Sequence, residues 1–103
     1  MAYKIIETEQ AQQDLCDIVA YIVSALENRS AAAALLDEVE ACYDHLERHP
    51  LMFEACHDPH LKALGYRKAG IKNYIMIYKV DEMIKTVAVM RFFHGRQDYE
   101  KLL

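Results

Sequence analysis

The sequence predicts an α+β domain of order β-α-α-β-β-β, in which a short N-terminal strand and a helical hairpin precede a three-stranded, mostly antiparallel sheet and a short C-terminal tail. Two long segments of the first half repeat apolar residues at helical spacing. The second half instead holds short segments rich in strand-forming residues, separated by turn residues. A chain of 103 residues with three glycines and two prolines offers no linker, so residues 1–103 are expected to form one domain.

The first half predicts one strand and two helices. Residues 3–7 are expected to form the strand, and Thr8 can cap the helix that follows. Residues 28–30 interrupt the helical pattern, with Ser30 as the expected N-cap of a second helix that ends near Arg48. The apolar stripe of the first helix contains Ala11, Leu15, Ile18, Val19, Ile22 and Leu26. That of the second helix contains Leu35, Leu36, Val39, Cys42, Tyr43 and Leu46.

The second half predicts the sheet. Residues 51–64 read as an irregular connection, and a helical tail is expected from Gln97. The helical hairpin should cover one face of the sheet, which leaves the other face exposed or available to a partner. The expected strands are residues 66–69, 74–80 and 84–93, with turns at residues 70–73 and 81–83.

The bulk composition excludes several classes of protein. Hydrophobic residues make up 53% of the chain and charged residues 27%, which excludes a disordered chain or a disulfide scaffold. Apolar runs of only four or five residues cannot span a membrane, and residues 1–10 do not resemble a signal peptide. The three cysteines have no CxxC spacing, which favours reduced, mostly buried thiols and a cytoplasmic protein.

Charge is divided unevenly along the chain. Residues 1–59 hold three basic and twelve acidic residues, a balance of −9, whereas residues 60–103 hold nine basic and four acidic residues, a balance of +5. A basic half within an acidic protein suggests an anion-facing surface, although small domains often divide their charge unevenly.

The end of the last strand carries the most suggestive polar residues. Histidine titrates near neutrality and can exchange protons, and neighbouring arginines can stabilise a phosphoryl transition state. Arg67 and Lys68 in the neighbouring strand could add to the same field. A solvated strand end whose charges pair with one another explains the same residues, so spacing alone names no reaction. The polar residues are Arg91, His94, Arg96 and Asp98.

Strand parity constrains any shared site. Side chains alternate between the two faces of a strand, so Arg91 and His94 should point to opposite faces. A bulge, or a strand that ends near Arg91, is required for the two to cooperate. One face should carry Val87, Val89, Arg91 and Phe93, and the other Ala88, Met90, Phe92 and His94.

Two further patterns have simpler interpretations. Four tyrosines of the basic half could stack on bases, but packing in the core or at a sheet edge is the favoured role of most of them. The run of residues 56–60 superficially resembles a metal site, yet no second ligand pair is evident. No metal or organic cofactor is therefore predicted. The four tyrosines are Tyr66, Tyr74, Tyr78 and Tyr99.

The order of elements, together with the segments GYRKAGIKNYIMIYKV and TVAVMRFFHGRQDYEKLL, resembles the RelE/ParE superfamily of bacterial toxins. These proteins are the toxins of type II toxin–antitoxin modules, and the resemblance covers nearly the whole chain. It implies a cytoplasmic toxin that inhibits bacterial growth and is neutralised by a cognate antitoxin. It also implies binding to operator DNA indirectly, through the antitoxin of the complex.

The superfamily has two activities, and the resemblance implies a different role for this chain under each. RelE-like members are metal-independent endoribonucleases that cut mRNA on the ribosome. Under that activity Arg67 and Arg91 would stabilise phosphate, His94 would be the acid or base, and Tyr99 would assist. ParE-like members poison DNA gyrase by protein contact in which the C-terminal segment is implicated. The residues expected to bind the target are Lys68, Lys72, Arg96, Asp98 and Lys101.

Two departures favour the gyrase target slightly. Many RelE-like nucleases carry an arginine at the position of Ile75, and they tend to be strongly basic, whereas this chain has a pI of about 5.7. Ribosome-dependent mRNA cleavage is the alternative. A third hypothesis is a non-toxic domain that retains the fold and antitoxin binding.

Overall fold

The computed structural model describes residues 2–95. In these residues a strand and a helical hairpin precede three further strands, which confirms the predicted α+β class and its order. The expected tail helix from Gln97 lies outside the described residues. The elements are β1 (Lys4–Glu7), α1 (Glu9–Ser24), α2 (Arg29–Arg48), α3 (Pro59–Ala63), β2 (Tyr66–Ile71), β3 (Tyr74–Asp81) and β4 (Thr86–His94).

The strands form one four-stranded sheet in the order β1-β4-β3-β2. β2, β3 and β4 are antiparallel neighbours, as expected for the second half. β1 adds a parallel edge strand beside β4, with Lys4 opposite Thr86 and Glu7 opposite Val89. Because a parallel pair needs a long crossover connection, the helical hairpin that follows β1 lies against the sheet. No helix within residues 2–95 is long and apolar enough to cross a membrane.

Thr8 caps α1 as predicted. Its hydroxyl oxygen accepts a hydrogen bond from the Ala11 N–H at 3.0 Å. The apolar stripe ends earlier than the sequence predicted, because α1 ends at Ser24 and Leu26 lies beyond it with 56% of its surface exposed. Residues after the helix end lose the 3.6-residue period that would return Leu26 to the core.

The N-cap of α2 is Asn28, so the prediction of Ser30 was wrong. The Asn28 carboxamide oxygen accepts from the Ala31 N–H at 3.0 Å, and Ser30 lies inside the first turn. An asparagine two residues earlier satisfies the same orphan N–H groups and extends the helix toward α1. α2 ends at Arg48 as expected, while Leu36 of its predicted stripe is 41% exposed.

The connection over residues 51–64 contains α3, which the sequence interpretation missed. The Asp58 carboxylate accepts hydrogen bonds from the N–H groups of His60 and Leu61, and Pro59 occupies the first turn. An aspartate cap followed by proline is a recognised helix start, so the signal was present in the sequence. Leu61 is buried against the sheet.

The strand ends also differ from the prediction. β2 continues to Ile71, and only Lys72 and Asn73 turn the chain; Lys72 adopts a φ of +56°. A two-residue hairpin loop needs such left-handed backbone, which is why the turn is shorter than expected. β4 begins at Thr86, and Ile84 is 68% exposed in the preceding turn.

Hydrophobic residues pack on both faces of the sheet. The larger cluster lies between the hairpin and the sheet and includes Leu46, Met76 and the fully buried Tyr78. A smaller cluster on the opposite face joins Cys56 and Leu61 to strand residues including Ile77 and Phe93. The segment around α3 therefore covers part of the face that was expected to be open. Cys42 and Cys56 are buried, as expected of most thiols, whereas Cys16 is exposed.

Candidate functional site at the edge of β4

A β-bulge at Met90 sets the side-chain directions of the strand end. Ile77 of β3 pairs with Arg91, but the next residue, Tyr78, pairs with Val89, so Met90 is an extra residue. The bulge moves Phe92 onto the same face as Val89, where both contact the helix-side cluster. The predicted alternation through residues 87–94 was therefore wrong after Met90, because it assumed a regular strand.

Beyond the bulge, α1 takes the place of β1 along β4. The β1–β4 ladder ends at Val89, whose carbonyl accepts from the Thr8 N–H at 3.0 Å. The Thr8 hydroxyl then donates to the Met90 carbonyl at 2.9 Å. Six residues after Thr8, a carboxylate oxygen of Asp14 accepts from the Phe92 N–H at 3.0 Å. Side chains of α1 thus satisfy polar backbone groups that a neighbouring strand would otherwise bind.

Asp14 also holds Arg91. The Arg91 Nε lies 2.7 Å from one carboxylate oxygen and Nη2 lies 3.3 Å from the other, a two-point ion pair. Burial alone would raise the pKa of Asp14, but hydrogen bonds from Arg91, Gln10 and the Phe92 N–H outweigh it and lower that pKa below its usual value. The carboxylate is therefore ionised at neutral pH, and it neutralises the guanidinium beside it.

Arg91 and His94 border one open cleft of about 410 Å³ between α1 and the end of β4. They reach it from opposite sides of the strand: Arg91 pairs with Ile77 and its guanidinium lies 4.6 Å from the Phe93 ring centre, on the face of the smaller cluster. The bulge precedes Arg91, so it does not change the parity between Arg91 and His94. The cleft is lined by Asp14, Asp17, Ile18, Tyr21, Tyr74, Arg91, Phe92, Phe93 and His94.

His94 is exposed at the rim of this cleft. It pairs with Tyr74 across the ladder, and the two rings meet edge to face with centres 5.5 Å apart. The next residue, Gly95, donates its N–H to the Asn73 carbonyl at 2.8 Å, which ties the strand end to the β2–β3 turn. An exposed imidazole held in this way can reach a ligand in the cleft.

Arg67 lies away from Arg91. It pairs with Tyr78, which pairs in turn with Val89, so Arg67 occupies a position on the helix-side face. Its Nη1 donates to the Phe53 carbonyl at 2.7 Å, which fixes the guanidinium against the chain. The structure therefore brings Arg91 and His94 to one cleft but does not bring Arg67 to it.

The remaining candidates are dispersed. Lys68 lies on the face of the smaller cluster, where its Nζ is 3.8 Å from a Glu54 carboxylate oxygen. Lys72, in the β2–β3 turn, borders a second open depression that His94 also lines. The other predicted site residues, Arg96, Asp98, Tyr99 and Lys101, lie outside the described residues. Within residues 2–95, no three His, Cys, Asp or Glu side chains converge as metal ligands would.

Asp14 is the site residue that the sequence interpretation missed. It stands three residues after Ala11 and four before Ile18, inside the apolar stripe of the first predicted helix. A carboxylate on an apolar helix face is unusual unless it has a buried partner, so its position was a signal. Its partner could not be identified because Arg91 is 77 residues away.

An apolar groove on the helical hairpin is a second candidate surface. It has a volume of about 650 Å³ and includes Leu36, which is 41% exposed although apolar. Exposed apolar grooves of this kind are typical of sites that receive a partner helix. The other apolar residues of the groove include Leu15, Val19, Ala20 and Val23.

Comparison with known proteins places the chain in a family. The family model for the ParE toxin of type II toxin–antitoxin systems, parDE, matches residues 5–99. No curated protein is similar enough to the chain to count as a match.

Several solved structures share the fold. The toxin–antitoxin complex RelBE2 from Mycobacterium tuberculosis is 23% identical, covering 91% of this chain and 99% of that chain with a TM-score of 0.63. The chromosomal ParDE system from P. aeruginosa is 15% identical, with 90% and 96% covered and a TM-score of 0.69. The archaeal RelE–RelB complex from Pyrococcus horikoshii is 16% identical, with 94% and 99% covered and a TM-score of 0.65.

The structural similarity, at these identities, establishes the shared fold alone, and it includes both RelE and ParE proteins. The family model goes further, because it spans both the hairpin and the sheet over nearly the full length of the chain. The chain belongs to the ParE toxin family of type II toxin–antitoxin systems.

Proposed function

We propose that this toxin blocks bacterial growth in the cytoplasm by binding DNA gyrase through protein contact, and that a cognate antitoxin neutralises it. The observation that carries the choice of target is the pairing of Arg91 with Asp14. A nuclease of the RelE type would need Arg91 to stabilise phosphate, yet here a carboxylate already neutralises its charge.

The position of the second arginine supports the same target. Phosphoryl-transfer catalysis needs positive groups that converge on the transition state. Arg67 points its guanidinium to the Phe53 carbonyl on the other side of the sheet, so it does not join Arg91. A surface that acts by binding a protein does not require this convergence.

Ribosome-dependent mRNA cleavage is the second candidate, and His94 is the observation that favours it. The imidazole is exposed at the rim of a cleft that Arg91 also borders. An exposed histidine beside an arginine has the groups that metal-independent RNA cleavage uses.

The groove on the helical hairpin is the proposed antitoxin site. An amphipathic antitoxin helix laid across it would bury the exposed side of Leu36 together with the groove residues of α1. The RelBE2 and RelE–RelB structures are complexes of a toxin with an antitoxin, which supports a partner of the same kind here.

Two assays on the purified toxin separate the targets. Gyrase, DNA and the toxin are incubated, and trapped double-strand breaks are measured; in parallel, mRNA ends are mapped in a translation reaction. We expect trapped breaks without new mRNA ends. Ribosome-dependent cuts that are lost in His94→Ala but retained in Lys62→Ala would replace this proposal with the nuclease. The absence of both signals, with antitoxin binding intact, would identify a non-toxic domain.

The antitoxin site is tested with two matched substitutions. Leu36→Glu and Ile84→Glu each place a carboxylate on an exposed apolar residue, but only Leu36 lines the groove. The chain is co-expressed with the small protein encoded next to it, and co-purification is measured. We expect Leu36→Glu to lose the partner and Ile84→Glu to retain it. Equal retention by both variants would contradict a groove site.

A further inference from the structure

The Asp14–Arg91 pair has the geometry of a ligand site that is already filled. Arginine recognises carboxylates and phosphates with the same planar fork, through two parallel N–H···O bonds. In this chain the Asp14 carboxylate receives both bonds, at 2.7 and 3.3 Å. Within residues 2–95, Asp14 is the acceptor that receives both of these guanidinium hydrogen bonds.

The surroundings hold Asp14 firmly in this position. Its carboxylate also accepts from the Phe92 N–H at 3.0 Å and from the Gln10 carboxamide at 2.9 Å. The side chain of Asp14 is 11% exposed, whereas that of Arg91 is 26% exposed. The arginine therefore remains accessible from the cleft while its charge is cancelled from within the fold.

We propose that Asp14 is a specificity-determining residue that occupies the anion site of Arg91 and keeps the cleft from binding the phosphodiester backbone of RNA. This inference rests on the proposed function, because it explains how a chain with this fold and with His94 at the cleft acts on a protein. An RNA phosphate that enters the cleft must displace a carboxylate that is covalently part of the chain. Such an intramolecular competitor has a high effective concentration.

Asp17 provides a matched control. It lies one turn after Asp14 on α1 and lines the same cleft, and its carboxylate accepts from the Gln13 carboxamide at 2.8 Å and not from Arg91. Asp14→Asn and Asp17→Asn each remove one negative charge from the cleft. The carboxamide that Asp14→Asn introduces retains an oxygen that can accept from the Phe92 N–H. The substitution therefore changes the charge of the site more than its packing.

The test measures binding of a short, labelled single-stranded RNA to the purified toxin at low salt. We expect Asp14→Asn to bind about fivefold more tightly than the wild type, the effect of about one unscreened charge pair in water. Asp17→Asn should change the affinity by about twofold at most, because it frees no cation. Adding Arg91→Gln to Asp14→Asn should remove the gain in affinity. In Asp14→Asn alone, the slope of the logarithm of the RNA-binding constant against the logarithm of the salt concentration should be steeper than in the wild type by about 0.7. This increase should vanish when Arg91→Gln is added.

Three results would overturn the proposal. Equal gains in Asp14→Asn and Asp17→Asn would indicate a general charge effect, and a gain that survives Arg91→Gln would place the RNA elsewhere. If Asp14→Asn does not fold, Arg91→Gln alone decides the question. A fivefold loss of RNA affinity in Arg91→Gln would mean that Arg91 binds RNA with Asp14 in place. An unchanged affinity supports the proposal that Asp14 occupies the anion site of Arg91.

The RNA-binding measurement is independent of the target. It requires neither gyrase nor ribosomes, so its failure leaves the gyrase assay free to succeed. Conversely, a toxin that traps no gyrase breaks can still bind RNA more tightly after Asp14→Asn. The two proposals therefore fail separately.

Discussion

The two halves of β4 are held at the same edge by different means. Residues 86–89 pair with the backbone of β1 in a parallel ladder, whereas residues 90–92 are held by the side chains of Thr8 and Asp14 from α1. Backbone pairing is nearly independent of residue type, but side-chain pairing depends on one hydroxyl and one carboxylate. The second half is therefore the part of the strand where a single substitution can alter a binding surface.

The functional candidates follow this division. Arg91 and His94 lie in or beyond the half held by side chains, next to the bulge at Met90. Bulges are common next to functional sites because they redirect side chains that a regular ladder would hold in alternation. The candidate residues thus lie where side chains of α1, and not a neighbouring strand, hold the edge of β4.

Breaking the backbone half should have the largest effect on stability. The Thr8 N–H donates to the Val89 carbonyl of β4 and the Lys4 N–H donates to the Lys85 carbonyl just before β4. Alternation along the strand places the Ile6 N–H on the same side. Ile6→Pro should therefore lower the free energy of unfolding by about 3 kcal/mol. Urea unfolding measures the change. Ile6→Ala is the control, and because Ile6 is 41% exposed, we expect a much smaller loss; equal losses would mean that the ladder contributes little.

Removing the Asp14 carboxylate, which holds residues 90–92 of β4 together with Thr8, should lower the free energy of unfolding somewhat less. Asp14→Ala leaves Arg91 and the Phe92 N–H without their acceptor, and we expect a loss of about 2 kcal/mol, reduced by the partial exposure of the pair. Urea unfolding of Asp17→Ala, an exposed acid on the same helix, should differ from the wild type by about 0.5 kcal/mol at most. A comparable loss in both variants would contradict the special role of Asp14.

Thr8 contacts both halves of β4. Its N–H binds the last ladder carbonyl, and its hydroxyl both caps α1 and donates to Met90. Thr8→Val removes only the hydroxyl and should lower the free energy of unfolding by about 1 kcal/mol. Thr8→Ser retains the hydroxyl and should remain near the wild-type value in the same thermal or urea unfolding experiment. A Thr8→Val variant as stable as the wild type would contradict the role of the hydroxyl.

The smallest effect is the pH dependence of the side-chain half. The pKa of Asp14 is lowered in the folded chain, so its ion pair contributes stability above the unfolded-state pKa of about 4 and loses it as the pH falls through the folded value. The difference in unfolding free energy between wild type and Asp14→Asn should be constant from pH 7 to about pH 5 and shrink below about pH 4. If the difference begins to shrink near pH 6, the pH dependence of stability belongs to a group other than Asp14.

Much of the fold could be predicted because the relevant signals are local. Thr8 before an apolar stripe predicted the start of α1, and the tyrosine-rich run over residues 74–80 predicted β3. The errors are local as well: Asn28 was overlooked as a cap, and the Asp58–Pro59 start of α3 was included in an irregular connection. In each of the three helix caps the interacting atoms are within three residues of one another.

The site could be predicted only in part. The candidate residues at the end of β4 were identified from the sequence. The side-chain alternation assumed for the strand was wrong after Met90, because no residue type there predicts a bulge. The partners of the arginines could not be predicted either. Asp14 is 77 residues from Arg91 in the sequence. Arg67 donates to the carbonyl of Phe53, which lies in the segment that was predicted to be an irregular connection.

The class, the order of the elements and the polar residues of the strand end could be predicted from the sequence, since helix and strand periods and caps depend on neighbours along the chain. Which charges remain available could be read from the folded chain alone, because ion pairs form between residues that folding brings together. Arg91 is a free cation in the sequence and a neutralised one in the fold. We infer that phosphate binding by this chain depends on that contact, and the contact cannot be read from the strand that carries the arginine.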